Sequence, residues 1–166
     1  MKFEYKVKLT EKDLYHFMMY HNYHGIQGKL GIIVAALAFA AAAVTIGNIE
    51  PFYTFAYLAC GVVFLLYTPI TLRFKAKKQF VLIPDLREDM TYTFDDEKIV
   101  SAMKDQSAEV QWIKLFKIVG TKNYLYIYTD RMHSTIIPKE AIGEEFNELA
   151  DFIELKTPKG KVKIKR

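Results

Sequence analysis

Between Lys29 and Arg73 the chain carries one charged residue, Glu50. Nothing else in the sequence restricts the fold so tightly. On either side of Glu50 lie two uncharged apolar runs, LGIIVAALAFAAAAVTIGNI and FYTFAYLACGVVFLLYTPITL. A hydrocarbon core of about 30 Å needs roughly 20 helical residues, each rising about 1.5 Å. Both runs meet that length. The mean hydropathy of the chain, +0.02, hides this segregation, because the flanking segments are rich in Lys, Glu and Asp. A hairpin buried in a soluble core would keep a polar face on its helices, and neither run has one. The block starts only after Lys29 and is doubled, which is not the layout of a cleaved signal peptide.

The link between the runs holds Asn48, Glu50 and Pro51. Asn suits turns, and proline suits the first turn of a following helix. The runs therefore read as an antiparallel transmembrane helix hairpin over residues 29–74. Lys29, Arg73, Lys75, Lys77 and Lys78 flank its open end, and the turn carries no positive charge. The positive-inside rule then places both termini in the cytoplasm and the turn outside. Phe52, Tyr53, Tyr57 and Tyr67 fall where interfacial aromatic residues belong. Gly31 with Ala35 and Ala36 with Ala40 have the small-residue spacing that lets helices approach closely. Pro69 is expected to bend the second helix, and Cys60 inside that helix is expected to be a small packing residue.

The N-terminal segment, residues 1–28, opens with an alternating strand, KFEYKVKL, in which Phe3, Tyr5, Val7 and Leu9 share a face. Thr10 then starts a helix as its N-cap, with Asp13 in the first turn. Leu14, Phe17, Met18 and His21 lie on one side of it, and Gly25 and Gly28 are expected to loosen the chain. A lone strand is not stable, so this one needs partners beyond the hairpin.

Residues 75–89 read as a basic connector. From Met90 to Leu155 the pattern is β and then helical. MTYTF and IVSAM flank a DDEK turn. AEVQWIK reads as a strand with Ala108, Val110 and Trp112 on one face, and Trp112 as a core anchor. FKIV and YLYIYTD flank GTKN, HSTIIP closes the set at Pro138, and EEFNELADFIELK is helical, with Phe146, Leu149 and Ile153 in a stripe. The expected fold is an α+β membrane protein: the hairpin plus a cytoplasmic, strongly bent antiparallel sheet of about seven strands with a C-terminal helix. That arrangement is pleckstrin-homology-like by analogy of topology. Residues 156–166 read as a basic tail.

The strings YTFDDEKIV, VQWIKLFKIVGTKNYLYIYTD and IIPKEAI, followed by an acidic amphipathic helix, resemble the YcxB-like family of bacterial membrane proteins. The resemblance implies an N-terminal strand and helix, a two-helix membrane hairpin, and a C-terminal domain similar to pleckstrin-homology-like domains. Trp112, Ile137, Pro138 and Lys139 match its packing pattern. It implies binding or scaffolding and carries over no activity.

No catalytic, cofactor or metal site is expected. His16 and His21 diverge around a helix, and no cysteine or carboxylate pair joins them at ligand spacing. Asp130, His133 and Ser134 are close in sequence, but adjacent strand residues point to opposite faces. Asp95, Asp96 and Glu97 lack calcium-loop spacing, and no phosphate-binding glycine loop is present. The apolar runs hold no ionisable group of the kind a transporter uses. The net charge of +4 directs attention to Lys75, Lys77, Lys78, Lys159, Lys161, Lys163, Lys165 and Arg166 as lipid-surface contacts. Each basic residue near an anionic leaflet contributes on the order of 1 kcal/mol. The expected partners are the bilayer, anionic headgroups, and a protein partner or further copies of the chain; nucleic acid is disfavoured. The expected function is a membrane protein presenting a cytoplasmic binding or scaffolding domain, not an enzyme. The alternatives are a membrane-bound enzyme with an unrecognised site and a homo-oligomeric hairpin pore.

Overall fold

The structure is a computed structural model that describes residues 2–104, 106–130 and 133–165. The chain forms two compact units: a sheet unit, Met1–Asp13 with Ile83–Arg166, and a helical unit, Leu14–Leu82.

The sheet unit begins with β1 (Phe3–Lys8), whose alternate residues are buried and exposed. β1 pairs antiparallel with β2 (Asp89–Phe94), bringing Phe3 opposite Phe94, Tyr5 opposite Tyr92 and Val7 opposite Met90. The N-terminal strand thus finds its partner across the whole helical unit. β3 (Lys98–Met103) and β4 (Gln106–Gln111) complete a sheet of order β1-β2-β3-β4. Asp95 builds the turn between β2 and β3. Its Oδ1 accepts from the backbone N–H groups of Glu97 and Lys98, both at 2.8 Å. These bonds hold its carboxyl below the usual carboxylate range.

A second sheet, of order β7-β6-β5-β8, comprises β5 (Lys117–Gly120), β6 (Tyr124–Tyr128), β7 (Ser134–Pro138) and β8 (Val162–Ile164). The expected single bent sheet is therefore two four-stranded sheets. All pairs are antiparallel except β5–β8, which is parallel. After β7 come a short helix α4 (Lys139–Ile142), a 3-10 turn (Gly143–Glu145) and helix α5 (Phe146–Lys156). α5 begins two residues later than EEFNELADFIELK suggests, and it buries Phe146, Leu149, Ala150, Phe152 and Ile153.

Residues 156–166 are not a free tail, because β8 lies within them. Gly120 makes this possible: a Cβ there would come within 2.8 Å of Ile164 Cγ2 and 3.1 Å of Ile164 Cα. The Lys165 N–H then donates to the Gly120 carbonyl at 3.0 Å.

Trp112 is 5% exposed. It does not lie within a strand, as AEVQWIK suggests, but opens a 3-10 turn, Trp112–Lys114. The turn swings the indole inward, where Nε1–H donates to the Asp95 carbonyl at 2.9 Å. Its ring centroid lies 6.3 Å from that of Phe94 and 5.8 Å, edge-on, from that of Phe152. Phe3 meets Phe152 at 5.4 Å. Strand β1, the β2–β3 corner and α5 thus meet in one aromatic cluster.

The helical unit contains most of α1 (Glu11–His24), with α2 (Ile26–Thr45) and α3 (Pro51–Leu82). At the start of α1, Thr10 and Asp13 cap each other. The Asp13 N–H donates to Thr10 Oγ1 at 3.3 Å, and Asp13 Oδ2 accepts from the Thr10 N–H at 2.8 Å and its hydroxyl at 2.7 Å. Gly25 separates α1 from α2, whereas Gly28 is helical and buried. A Cβ at Gly28 would fall 2.5 Å from the Asn22 carbonyl oxygen, so its lack of a side chain serves packing there. Pro69 lies inside α3. α3 also runs through Arg73–Lys78 to Leu82, into the span the sequence reads as a connector. No glycine or proline stands between Pro69 and Pro84, and Lys, Ala and Gln favour helix. Ile83, ahead of that proline, is extended, as X-Pro sterics require.

Small residues form the contact between α2 and α3. Ala35 and Ala42, seven apart, are buried in α2 at the period of a left-handed helix pair, whereas Gly28, also buried, lies against Asn22 and Tyr23 of α1. Phe39 packs on Gly61, where a Cβ would lie 2.8 Å from the ring. At the turn end, Thr54 Oγ1 donates to Thr45 Oγ1 at 3.0 Å. Ala36 and Ala40 are exposed on α2.

Candidate membrane and docking surfaces

Two surfaces stand out, one on each unit. Of the large apolar side chains exposed among the described residues, all but Ile113, Phe116 and Leu155 lie between Ile26 and Ile83. They surround α2 and α3: Leu30, Leu37, Val44, Phe55, Val63 and Leu66 are each at least 51% exposed. The two helices have a mean hydropathy of 1.9 over their most apolar stretches and are long and apolar enough to cross a membrane. A continuous apolar surface of this kind calls for lipid or protein to cover it. Cys60, whose small side chain suits packing inside a helix, is instead exposed on α3.

The basic candidates fall into two groups. Lys75, Lys77 and Lys78 are exposed on α3. Lys159, Lys163 and Lys165 are exposed on the sheet unit, around β8. Lys161 is not a free cation: its Nζ donates to the carbonyls of Ile113 at 3.0 Å and Leu115 at 2.7 Å, bracing the turn after Trp112. Lys139 acts similarly, donating to the Lys165 carbonyl at 2.8 Å with its ammonium 3.7 Å from the centre of the Phe146 ring. Burial lowers its pKa. Arg166 lies outside the described residues.

Two of the three remaining exposed apolar residues, Ile113 and Leu155, point to a cleft in the sheet unit. Ile113 and Leu155, 71% and 79% exposed, line an open depression of about 630 Å³ with Trp112, Pro158, Asp96 and Lys156. Lys156 Nζ and Asp96 Oδ1 pair at 2.7 Å across it. That bond is the largest of the influences that lower the Asp96 pKa to about 2. The cleft is assembled from the β2–β3 turn, the turn after β4 and the end of α5. It lies at the Phe94 end of β2. Its parts are distant along the chain, so no local sequence pattern marks it.

The histidines do not converge. His24 stacks on Tyr20 at 4.0 Å and its Nδ1 bonds the Tyr20 carbonyl at 2.9 Å, while His21 lies 5.9 Å from the Phe17 ring. Burial raises the Tyr20 pKa. Among the described residues no three or more His, Cys, Asp or Glu side chains gather as metal ligands would. Asp130 does bond His133, at 2.7 Å to Nδ1 and 2.7 Å to the backbone N–H. Both side chains are exposed on the β6–β7 turn, where Asp130 caps the backbone, and Ser134 starts β7.

Residues 94–153 match the YcxB-like protein family. The sheet unit thus carries the family's segment, from the last residue of β2 into α5, and that segment holds Trp112, Ile137, Pro138 and Lys139. The YcxB-like match stops short of β1, the hairpin and β8. No curated protein and no solved structure matches the chain.

Proposed function

We propose that this chain is an integral membrane protein whose hairpin crosses the bilayer and whose YcxB-like unit is a docking module on the cytoplasmic side. The observation that carries this reading is the uncovered apolar surface of α2 and α3, in contrast to a sheet unit that buries most of its large apolar residues. Burial of apolar area contributes about 25 cal/mol per Å², so such a surface is strongly driven into lipid. The exposed Lys75, Lys77 and Lys78 on the last turns of α3 support a cytoplasmic open end.

The order of strands, four in one sheet and β5–β7 in the next, followed by helix α5, supports a pleckstrin-homology-like relationship, with β8 as an addition. Docking is favoured over catalysis by the makeup of the cleft: Asp96 and Lys156 are paired with each other, and its most exposed groups are apolar. The partners we propose are anionic headgroups, met by the exposed lysines, and a protein seated on Ile113 and Leu155. The Thr45–Thr54 bond ties up polar groups that an oligomeric pore would turn toward its lumen.

The test is alkaline carbonate extraction of the membrane fraction, on the parent and on a chain lacking residues 29–74. The parent stays with the membrane and the deleted chain does not. Release of the parent by carbonate overturns the reading.

A further inference from the structure

The helical unit holds a groove of about 420 Å³ where the break between α1 and α2 faces α3. Phe17, Met18, Ile26 and Leu72 supply apolar walls and Lys75 stands at its side. From this we infer a binding site for one anionic phospholipid, its acyl chain along the apolar walls and its phosphate at Lys75. The inference rests on the membrane reading and names a particular lipid class for it.

Three observations lead there. First, the volume falls in the range of small-ligand sites, about 300–1,000 Å³, and the groove opens onto the exposed apolar surface of the hairpin. Ile26, one of its walls, is 78% exposed, and Phe74, next to Lys75, is 70% exposed. A ligand resting here continues an apolar surface, which suits an acyl chain and not a free phosphate or a soluble metabolite. Second, no carboxylate lines the groove, while Lys75 does. Lys75 is exposed, with no ion pair to it among the described residues, and Lys78 lies one helical turn further on. The charge that completes the site is negative. Third, the groove lies at the boundary of the apolar run: Leu72 is its last apolar residue before Arg73. A phospholipid changes from chain to headgroup at such a boundary, and basic pockets between helices on the cytoplasmic side suit anionic headgroups.

The experiment uses the full chain purified in a mild detergent, with phosphatidylglycerol or phosphatidylcholine of the same acyl length added. Native mass spectrometry counts the retained lipid. The parent should retain phosphatidylglycerol over phosphatidylcholine by about fivefold, the ratio that one basic residue worth about 1 kcal/mol provides. Lys75→Glu and Lys75→Gln should lose that preference, while Lys122→Glu, exposed on the β5–β6 turn of the sheet unit, keeps it. Thermal melts in the same detergent confirm that the variants are folded. Soluble glycerol phosphate at equal concentration should not displace the lipid. Equal retention of the two lipids by the parent, an undiminished preference in both Lys75 variants, or a lipid-free dimer would each overturn the site. A chain that purifies as a soluble monomer without detergent would instead overturn the membrane reading beneath it.

Discussion

Trp112 joins three parts of the sheet unit, so its removal gives the most informative single change. Its side chain is 5% exposed, fills the space between Phe94 and Phe152, and donates Nε1–H to the Asp95 carbonyl. Trp112→Ala deletes a large buried group, at a cost of about 3–5 kcal/mol. It also removes a hydrogen bond with a net value of about 0.5–1.5 kcal/mol. Trp112→Phe keeps most of the apolar volume and loses the bond, so its cost is expected to be about 1–2 kcal/mol. A domain of this size is stable by only about 5–15 kcal/mol, so the alanine variant loses a large share. The assay is hydrogen exchange by mass spectrometry on the full chain in detergent, reading peptides from β2, β3 and α5. A loss of about 3 kcal/mol corresponds to exchange roughly a hundredfold faster. The phenylalanine variant should fall in between, and peptides from α2 should not change. Exchange within about threefold of the parent in Trp112→Ala would mean a difference under about 1 kcal/mol, and would refute the role assigned to the aromatic cluster.

Three further outcomes follow from particular contacts. Burial pushes the Tyr92 hydroxyl from its ordinary 10.0 up to about 12, and Tyr5 and Tyr124 are raised in the same direction, by burial first and then by Glu145 and Asp13. The unfolded chain therefore releases these protons before the folded one does. Resistance of the sheet unit to urea should be full below pH 10 and fall as pH rises toward about 12, and Tyr92→Phe should flatten the decline; a pH-independent urea midpoint across that window contradicts this. Gly61→Leu should disrupt hairpin packing, since even a Cβ would lie 2.8 Å from the Phe39 ring, and adding Phe39→Ala should restore the parent's mobility on mild-detergent gels. The Tyr124 hydroxyl donates to Asp13 Oδ1 at 2.9 Å, so in a double-mutant cycle Tyr124→Phe and Asp13→Asn should each loosen the start of α1, by about 1–2 kcal/mol, and be strongly non-additive; strict additivity in exchange of the peptide spanning Thr10 would contradict the contact.

The legible parts of this molecule are those where one periodicity decides. Alternation marks β1, and its uncovered apolar face indicates a distant partner. The missing charges between Lys29 and Arg73 mark the two helices, and DDEK marks the β2–β3 turn. Other features depend on packing between distant residues. β8 is three residues among lysines, and only the absence of a side chain at Gly120 gives it a place. Lys161 reads as a solvated charge until the Ile113 and Leu115 carbonyls appear beside it. Trp112 was recognisable as core, but the 3-10 turn that points it inward was not, because the alternation of the preceding strand continues through it. The cleft and the groove combine side chains from segments whose meeting no local pattern encodes.

The central claim is that the helices cross a bilayer with their turn outside and both ends within, and cysteine accessibility tests it most directly. In a Cys60→Ala background, single cysteines replace Glu50 in the turn and Lys163 in β8. Intact cells are treated with a membrane-impermeant maleimide, before and after permeabilisation. The account predicts that the cysteine at position 50 is labelled in intact cells and the one at position 163 only after permeabilisation. Labelling of position 163 in intact cells, or protection of position 50 until the membrane is breached, would contradict it.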